Sequence, residues 1–170
     1  MTERGTVERW QEGRTTFQRI YDVLVGTQSF VAASGFAERA DCSEAGARAA
    51  LEQLAEMGIA DRHDGRPVTY RRNDSYFEWK RIETLARDHD VDTLRERVDD
   101  LIAEDESFQA RYGVPTPDAV STADLAVDDH EELHARWESL SEWRTVRRDI
   151  RILRRAIDRA ESRVGDGVQA

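Results

Sequence analysis

The sequence has one lysine, one cysteine and no long run of apolar residues. Because Cys42 has no second cysteine to pair with, an intramolecular disulfide is excluded, and a reducing, cytoplasmic location is expected. No segment approaches the roughly 18–20 consecutive apolar residues of a membrane-spanning helix. Residues 1–14 are charged and contain no apolar stretch, so we expect a flexible tail there and no secretory signal. The composition therefore argues against disulfide-stapled and membrane-spanning classes.

Charge is abundant but unevenly distributed. The chain has 35 acidic and 25 basic residues, and since Lys80 is the only lysine, arginine carries nearly all the positive charge. This composition resembles that of halophile proteins, whose carboxylate-rich surfaces stay hydrated in concentrated salt; a preference for arginine codons is the alternative explanation. Residues 1–73 have a net charge of −1, residues 74–134 of −12 and residues 135–170 of +3. Because phosphate contacts supply much of the affinity for nucleic acid, the nearly neutral first segment suits DNA contact better than the acidic middle.

Three helices are predicted in the first third of the chain, because apolar residues recur there at three- and four-residue spacing. The first begins at about residue 15 and is stopped by Gly26, the second lies within 30–40, and the third covers 44–57. Ser43 is suited to cap the N-terminus of the third helix. Gly58 is predicted as its C-cap, since glycine adopts the left-handed conformation that ends many helices.

Two short strands are predicted after the third helix, over residues 59–61 and 68–72, with Asp64 and Gly65 as a favoured hairpin turn. Three helices followed by a β-hairpin is the order of a winged helix-turn-helix domain, which we predict over residues 15–73. The fold class expected for the chain is mainly α, with this domain and its hairpin wing, residues 59–72, followed by long C-terminal helices.

The segment from Gly35 to Arg72 contains an Ala-Glu-Arg-Ala-Asp second helix, a capping serine, an arginine five residues later, paired leucines, Gly-Ile and a basic hairpin. This pattern resembles the DNA-binding half of winged-helix transcriptional regulators of the ArsR and TrmB type, especially those of haloarchaea. The resemblance implies a sequence-specific transcriptional regulator that binds double-stranded DNA as a homodimeric repressor.

In such domains the third helix lies in the major groove, and the wing contacts the DNA backbone or the minor groove. The apolar face of helix 44–57 is used in the core, so its outward residues remain for the DNA, and Arg48 is suited to donate two hydrogen bonds to a guanine. The residues expected to bind DNA are Ser43, Glu44, Ala45 and Arg48 on the helix, and Arg62, His63, Arg66, Arg71 and Arg72 on the wing.

Beyond residue 73 the pattern is helical again. Helices are predicted over 75–89, from a capping box at Thr93 and Glu96 onward, and from about 128 to 164. We expect residues 74–164 to form a helical dimerisation region with an acidic middle, and residues 165–170 to form a disordered tail.

Apolar residues of the last predicted helix alternate three and four apart, as in a coiled-coil seam. Such a seam packs within the chain or against a second copy, and the second arrangement is the one predicted. Arginines between 144 and 155 flank the seam and are expected to pair with acids of residues 88–106, or alternatively to make a second DNA contact. The residues expected at the homodimer interface are Trp143, Val146, Ile150, Leu153 and Ile157.

Residues 130–134 read His-Glu-Glu-Leu-His, which matches the H-E-x-x-H signature of zinc hydrolases. On a helix, His130 and His134 would share one face and bind zinc, with Glu131 as general base. Charged neighbours such as Arg136 and the lack of a third histidine at the expected spacing argue against this chemistry. We therefore predict no catalytic residue, no metal and no cofactor, and a zinc hydrolase is the least favoured alternative.

A winged-helix module that docks proteins without binding DNA is the other alternative. Gly46 and the neighbouring alanines give the third helix few side chains that can read bases. Glu44 also places a negative charge where a phosphate approaches, although it is able to accept a hydrogen bond from a cytosine amine. These two features keep the docking module open beside the DNA-binding regulator.

Overall fold

The computed structural model describes residues 13–121 and 130–167. The protein is mainly α-helical with one small three-stranded antiparallel sheet. The chain divides into two compact units at the boundary between Glu78 and Trp79, and each unit is described by itself below. Of the predicted N-terminal tail 1–14, only the last two residues lie within the described part. No helix in that part is both long and apolar enough to cross a bilayer.

The first unit begins with helix α1, Thr16–Val25. Thr15 and Gln18 form a reciprocal capping box at its N-terminus, which satisfies backbone N–H groups that have no partner inside the helix. The buried face carries Ile20 and Leu24, and the helix ends at Val25 with Gly26 as its C-cap, the stop that the sequence predicts. Apolar residues recur regularly at helical spacing in this segment, and the predicted helix boundaries are correct to within a residue.

A two-residue strand, β1 (Val31–Ala32), directly precedes helix α2 (Ala33–Ala40). The sequence predicts a helical Val31, and this is wrong, because Val31 pairs with Tyr70 in an antiparallel ladder. Nothing local marks so short a strand, since its hydrogen-bond partner lies far along the chain. A Cβ on Gly35 would lie 2.7 Å from Cγ1 of Val31, so this glycine permits the close approach of strand and helix.

Helix α3 spans Glu44–Glu56 and places four apolar side chains in the core of the unit. Ser43 caps it as predicted, with its Oγ accepting a hydrogen bond from the N–H of Gly46 at 3.1 Å. Met57 is the C-cap, and Gly58 follows with a φ of +72°, in the left-handed region that favours glycine. The buried residues of α3 are Ala47, Ala50, Leu51 and Leu54.

The sheet is completed by β2 (Ala60–His63) and β3 (Thr69–Arg72), in the order β1-β3-β2. His63 pairs with Thr69, so residues 64–68 form a five-residue loop between the strands. The predicted two-residue turn at Asp64-Gly65 is therefore wrong, although both residues lie in this loop.

The second unit contains most of helix α4 (Asp74–Asp88) and all of helix α5 (Val91–Tyr112). Asp90 caps α5, accepting a hydrogen bond from the N–H of Thr93 at 2.7 Å. This hydrogen bond and a second one from the Thr93 hydroxyl hold the pKa of the Asp90 carboxyl below its ordinary value. The capping box predicted at Thr93 and Glu96 is therefore wrong, because the N-cap is Asp90, one turn earlier, and Thr93 donates to it.

A short 3-10 turn (Pro117–Ala119) and helix α6 (His130–Gly167) complete the second unit. The backbone of α6 continues three residues past the predicted end at Val164, into the predicted tail. Residue 128, the predicted start of the helix, lies outside the described residues.

The apolar seam of α6 packs against α5 within the same chain. The indole of Trp143 stacks with the rings of Phe108 and Tyr112, with centroid distances of 5.8 and 5.7 Å. Leu153 packs with Leu94 in a second apolar cluster farther along the two helices. The assignment of this seam to a dimer interface is thereby corrected, because α5 already covers it. The seam residues that pack in these two clusters are Trp143, Val146, Ile150, Leu153 and Ile157.

Ion pairs join α6 to the other helices of the second unit. Arg95 on α5 donates to Glu161 at 2.6 Å, and Glu83 on α4 accepts hydrogen bonds from Arg159 and Arg163. The predicted pairing of arginines with acids of α5 is found at Arg147, whose guanidinium lies 3.7 Å from Asp105. This pairing occurs within one chain.

Candidate nucleic-acid interface

The outward face of α3 begins at its capped N-terminus. Glu44, Ala45 and Arg48 are exposed, as the sequence predicts from the apolar pattern. A Cβ on Gly46 would lie 3.1 Å from the Ser43 Oγ and 3.4 Å from a methyl of Thr16, so Gly46 allows α1 and the cap to approach α3. Gly46 offers no side chain to contact a base, but its small size lets α1 pack closely against α3.

Arg48 forms an ion pair with Glu44, one turn earlier on α3, with 2.8 Å between guanidinium nitrogen and carboxylate oxygen. Both side chains are more than half exposed, at 59% and 55%. An exposed pair of this kind contributes only about 0.3–0.5 kcal/mol on a helix. Arg48 can therefore leave Glu44 for a stronger partner at small cost.

A groove of about 440 Å³ lies between α3 and the β2–β3 loop. Its helix wall is formed by Glu44, Arg48 and Glu52, and its loop wall includes Arg66 and Pro67. The walls thus carry two arginines and two glutamates. The structure brings together two of the predicted DNA-binding arginines here, Arg48 from the helix and Arg66 from the wing.

The sheet separates the other wing residues onto two faces. Side chains alternate along a strand, so His63 and Arg71 lie on the face opposite the buried Tyr70. There they contact an exposed phenylalanine: the His63 ring centroid is 5.4 Å from that of Phe30, and the Arg71 guanidinium carbon lies 4.6 Å from the Phe30 centroid. Arg71 also pairs with Asp61 at 3.1 Å. His63 and Arg71 therefore form an aromatic and cationic cluster of their own.

Arg72 is a scaffold residue in this structure. Its side chain is only 17% exposed, pairs with Asp74 at 2.6 Å and donates to the carbonyl of Val25 at 3.0 Å. Arg62, by contrast, is exposed and pairs with Asp64 at 2.9 Å on the hairpin loop. Of these two wing arginines, only Arg62 presents its charge at the surface.

The histidines of the H-E-x-x-H motif lie on the first turns of α6. His134 is exposed and lies 3.2 Å from Glu138, while His130 is an exposed residue at the first position of the helix. In residues 13–121 and 130–167, no group of three histidine, cysteine or acidic side chains is placed to hold a metal ion.

Two further residues line the groove between α3 and the β2–β3 loop, and only one of them could be predicted from the sequence. Glu52 follows Glu44 and Arg48 at four-residue spacing, so the sequence already places it on the outward face. Ser34, an exposed residue at the start of α2, also lines the groove. No local pattern marks Ser34, because its position depends on how α2 packs beside α3 and the hairpin.

By architecture, the chain is a small, mainly helical protein with an N-terminal unit built of three helices and a hairpin. It belongs to a family of unknown function, DUF7342, whose model matches residues 14–161. No curated protein and no solved structure matches the chain.

Proposed function

We propose that residues 15–73 form a winged helix-turn-helix domain and that the protein is a sequence-specific DNA-binding transcriptional regulator. The observation that carries the proposal is the turn between α2 and α3. It consists of residues 41–43, which is the length found in helix-turn-helix motifs. Asp41 has a φ of +49°, and aspartate is one of the few non-glycine residues that adopts this left-handed conformation readily. The β2–β3 hairpin supports the proposal, because it follows α3 in the chain order expected of a wing.

In the proposed complex, the N-terminal half of α3 lies in the major groove of B-DNA. Arg48 exchanges its weak pair with Glu44 for two hydrogen bonds to the O6 and N7 of a guanine, a contact that distinguishes the correct base by about 1–3 kcal/mol. Ser43 donates its hydroxyl proton to a phosphate, while its oxygen continues to cap the helix. Glu44, released from Arg48, accepts from a cytosine amine.

The proposed wing contacts the sugar-phosphate backbone of the DNA from the β2–β3 loop. Arg66 and Arg62 are exposed and bind phosphate oxygens, which position the domain without reading sequence. Arg72 is left out of the proposed interface because its guanidinium is engaged in the scaffold. His63 and Arg71 are also left out, because they lie on the sheet face opposite the buried Tyr70, whose own face borders the groove.

Repression by occlusion of a promoter, by a homodimer bound to two half-sites, is the mode of action that we propose. Since α5 covers the α6 seam, a dimer uses a different surface.

The proposal is tested by selecting genomic fragments on the purified full chain in molar KCl, and then measuring affinity for an enriched duplex by fluorescence anisotropy. Arg48→Ala is expected to weaken binding to that duplex by about 5- to 150-fold and to leave binding to unrelated duplexes unchanged. Arg87→Ala removes an equal charge from an exposed α4 residue and serves as the control. Equal affinity of Arg48→Ala and wild type for an enriched duplex would contradict the assignment of α3. If no fragment is enriched at any salt concentration, the domain is a protein-docking module.

A further inference from the structure

A second basic surface lies on α6, in the other unit. Between residues 144 and 155 the helix has six arginines and one acid, Asp149, in a chain whose net charge is −10. At 100° per residue, the six arginines fall within an arc of about 120° over a length of about 16 Å. Asp149 lies outside this arc and pairs with Arg81 at 3.1 Å. We call this surface the arginine face; its members are Arg144, Arg147, Arg148, Arg151, Arg154 and Arg155.

Three members of the arginine face lack an acidic partner. Arg148, Arg151 and Arg154 are exposed, and their side chains form no ion pair or hydrogen bond with any residue in the described ranges. Two others are engaged: Arg144 pairs with Asp118 at 3.2 Å, and Arg147 donates to the carbonyl of Pro115 at 2.6 Å.

Acids lie close to the arginine face and neutralise only part of it, since Arg147 also lies 3.7 Å from Asp105. A groove of about 510 Å³ beside the face is lined by Asp105, Glu106 and Asp158 as well as by arginines. Asp105 is already occupied, since it accepts hydrogen bonds from Trp143 and Gln109, each at 2.6 Å. The guanidinium groups of Arg148, Arg151 and Arg154 therefore remain open to an external anion.

The arginine face is held in a fixed shape by the seam beneath it. Trp143, Val146 and Ile150 are buried against α5, so the helix that carries the arginines is supported along this length. Successive phosphates of one B-DNA strand rise 3.4 Å along the axis while they wind around the duplex, so a helix of about 16 Å faces only a few of them. Guanidinium groups match phosphate oxygens in bidentate geometry. Because the duplex is stiff, its phosphates meet a supported row of arginines without the ordering cost that a flexible acidic peptide bears on binding.

We infer that the arginine face binds the phosphodiester backbone of double-stranded DNA, without reading its sequence. This inference rests on the proposed function, because it assigns to the same ligand a second, separate contact surface. Arg148, Arg151 and Arg154 make the phosphate contacts, and their guanidinium groups displace condensed counterions from the DNA.

The test compares wild type with the triple variant Arg148→Gln, Arg151→Gln, Arg154→Gln, using the full chain and a random-sequence duplex. Affinity is measured by fluorescence anisotropy over a series of KCl concentrations. Each lost phosphate contact lowers the slope of log K against log salt by about 0.9, so a decrease approaching 2.7 is expected. Replacing the same three residues with lysine keeps the charges and is expected to keep most of the slope. The control triple variant, Arg87→Gln, Arg95→Gln, Arg97→Gln, removes equal charge from arginines that already have polar partners.

The outcomes separate this inference from the proposed function. An unchanged slope in the glutamine variant, or the same decrease in the control, overturns the inference while leaving α3 as a DNA reader. Loss of slope in the glutamine variant, together with no effect of Arg48→Ala on an enriched duplex, supports the arginine face and overturns the assignment of α3. Displacement of the duplex by polyglutamate as efficiently as by unlabelled DNA overturns the inference, since the face would then prefer acidic polypeptide. Circular dichroism confirms that all variants are folded; because the replaced side chains are exposed, folding is expected to be retained.

Discussion

Trp143 donates its indole N–H to the carboxylate of Asp105, with 2.6 Å between Nε1 and Oδ1. The indole is fully buried and the Asp105 side chain is 15% exposed. Because one residue lies on α6 and the other on α5, this hydrogen bond fixes how far along α5 the tryptophan sits. Shape alone specifies this register weakly, since apolar side chains at heptad spacing can slide by a turn.

Replacing Asp105 with alanine is expected to destabilise the second unit. The buried indole N–H of Trp143 would lose its acceptor, and an unsatisfied buried donor costs about 1–3 kcal/mol. Chemical denaturation followed by far-UV circular dichroism measures the loss. Asp99→Ala, at an exposed position on the same helix, is the control and is expected to stay within about 0.5 kcal/mol of wild type. Equal stability of the two variants would show that the indole hydrogen bond has no role in holding the helices together.

The α6 seam is expected to control folding and not subunit association. Ile150→Ala removes side-chain atoms from a cluster that contains Phe108 and Val146, and such a cavity costs about 2–5 kcal/mol. We expect a lower free energy of unfolding and no change in mass by light scattering at any protein concentration. Val25→Ala, which trims a partly exposed side chain on α1, provides a small-effect control. If Ile150→Ala keeps the wild-type free energy of unfolding but dissociates from dimer to monomer, the α6 seam is a dimer interface after all.

The sequence predicts the elements of this fold better than their partners. Periodicity and capping residues locate α1 and α3 closely, because those signals are local: Thr15 and Ser43 satisfy backbone groups within their own first turns. The strand at Val31 could not be found this way, since its ladder partner Tyr70 lies 39 residues away. The α6 seam shows the same limit, because heptad spacing is identical whether the facing helix comes from the same chain or from another.

The candidate interface follows the same division. The exposure of Arg48 could be predicted, because it follows from which face of α3 is apolar. The roles of Arg71 and Arg72 could not, although they are neighbours in the sequence. Strand alternation sends one to Phe30 on the outer face and the other to the carbonyl of Val25. From the sequence, Arg71 and Arg72 are therefore both predicted to bind DNA.

Asp90 is expected to make the stability of α5 depend on pH in the acidic range. Its pKa is lowered in the folded state, chiefly by the hydrogen bond from the N–H of Thr93, relative to an ordinary value of 3.8. A carboxyl with a lowered folded pKa contributes its stabilisation fully above the unfolded pKa. That stabilisation is lost as the pH falls through the folded value. The melting temperature of wild type should therefore fall on acidification below the ordinary carboxyl range.

Asp90→Asn isolates this effect, because asparagine also caps helices well but does not titrate. The variant is expected to melt close to wild type at neutral pH and to show a shallower decline in melting temperature between neutral and acidic pH. Asp90→Ala, which has no cap at any pH, is expected to melt lower already at neutral pH. Parallel pH profiles for wild type and Asp90→Asn would mean that other carboxyls cause the acid sensitivity.

Arg66 and Arg72 are expected to differ in kind, although both are arginines of the proposed wing. Arg72→Gln removes the donor to the Val25 carbonyl and the pair with Asp74, and it should lower the free energy of unfolding by about 1–3 kcal/mol. Its DNA affinity, measured on folded protein, should match that of wild type. Arg66→Gln, at an exposed position on the loop, should leave stability within about 0.5 kcal/mol of wild type. It should also reduce the salt slope of DNA binding by about 0.9, the value for one phosphate contact. Chemical denaturation and fluorescence anisotropy are measured on the same preparation of each variant. If Arg72→Gln keeps the wild-type free energy of unfolding but loses DNA affinity, Arg72 contacts DNA directly. The division of the proposed wing into scaffold and interface residues is then wrong.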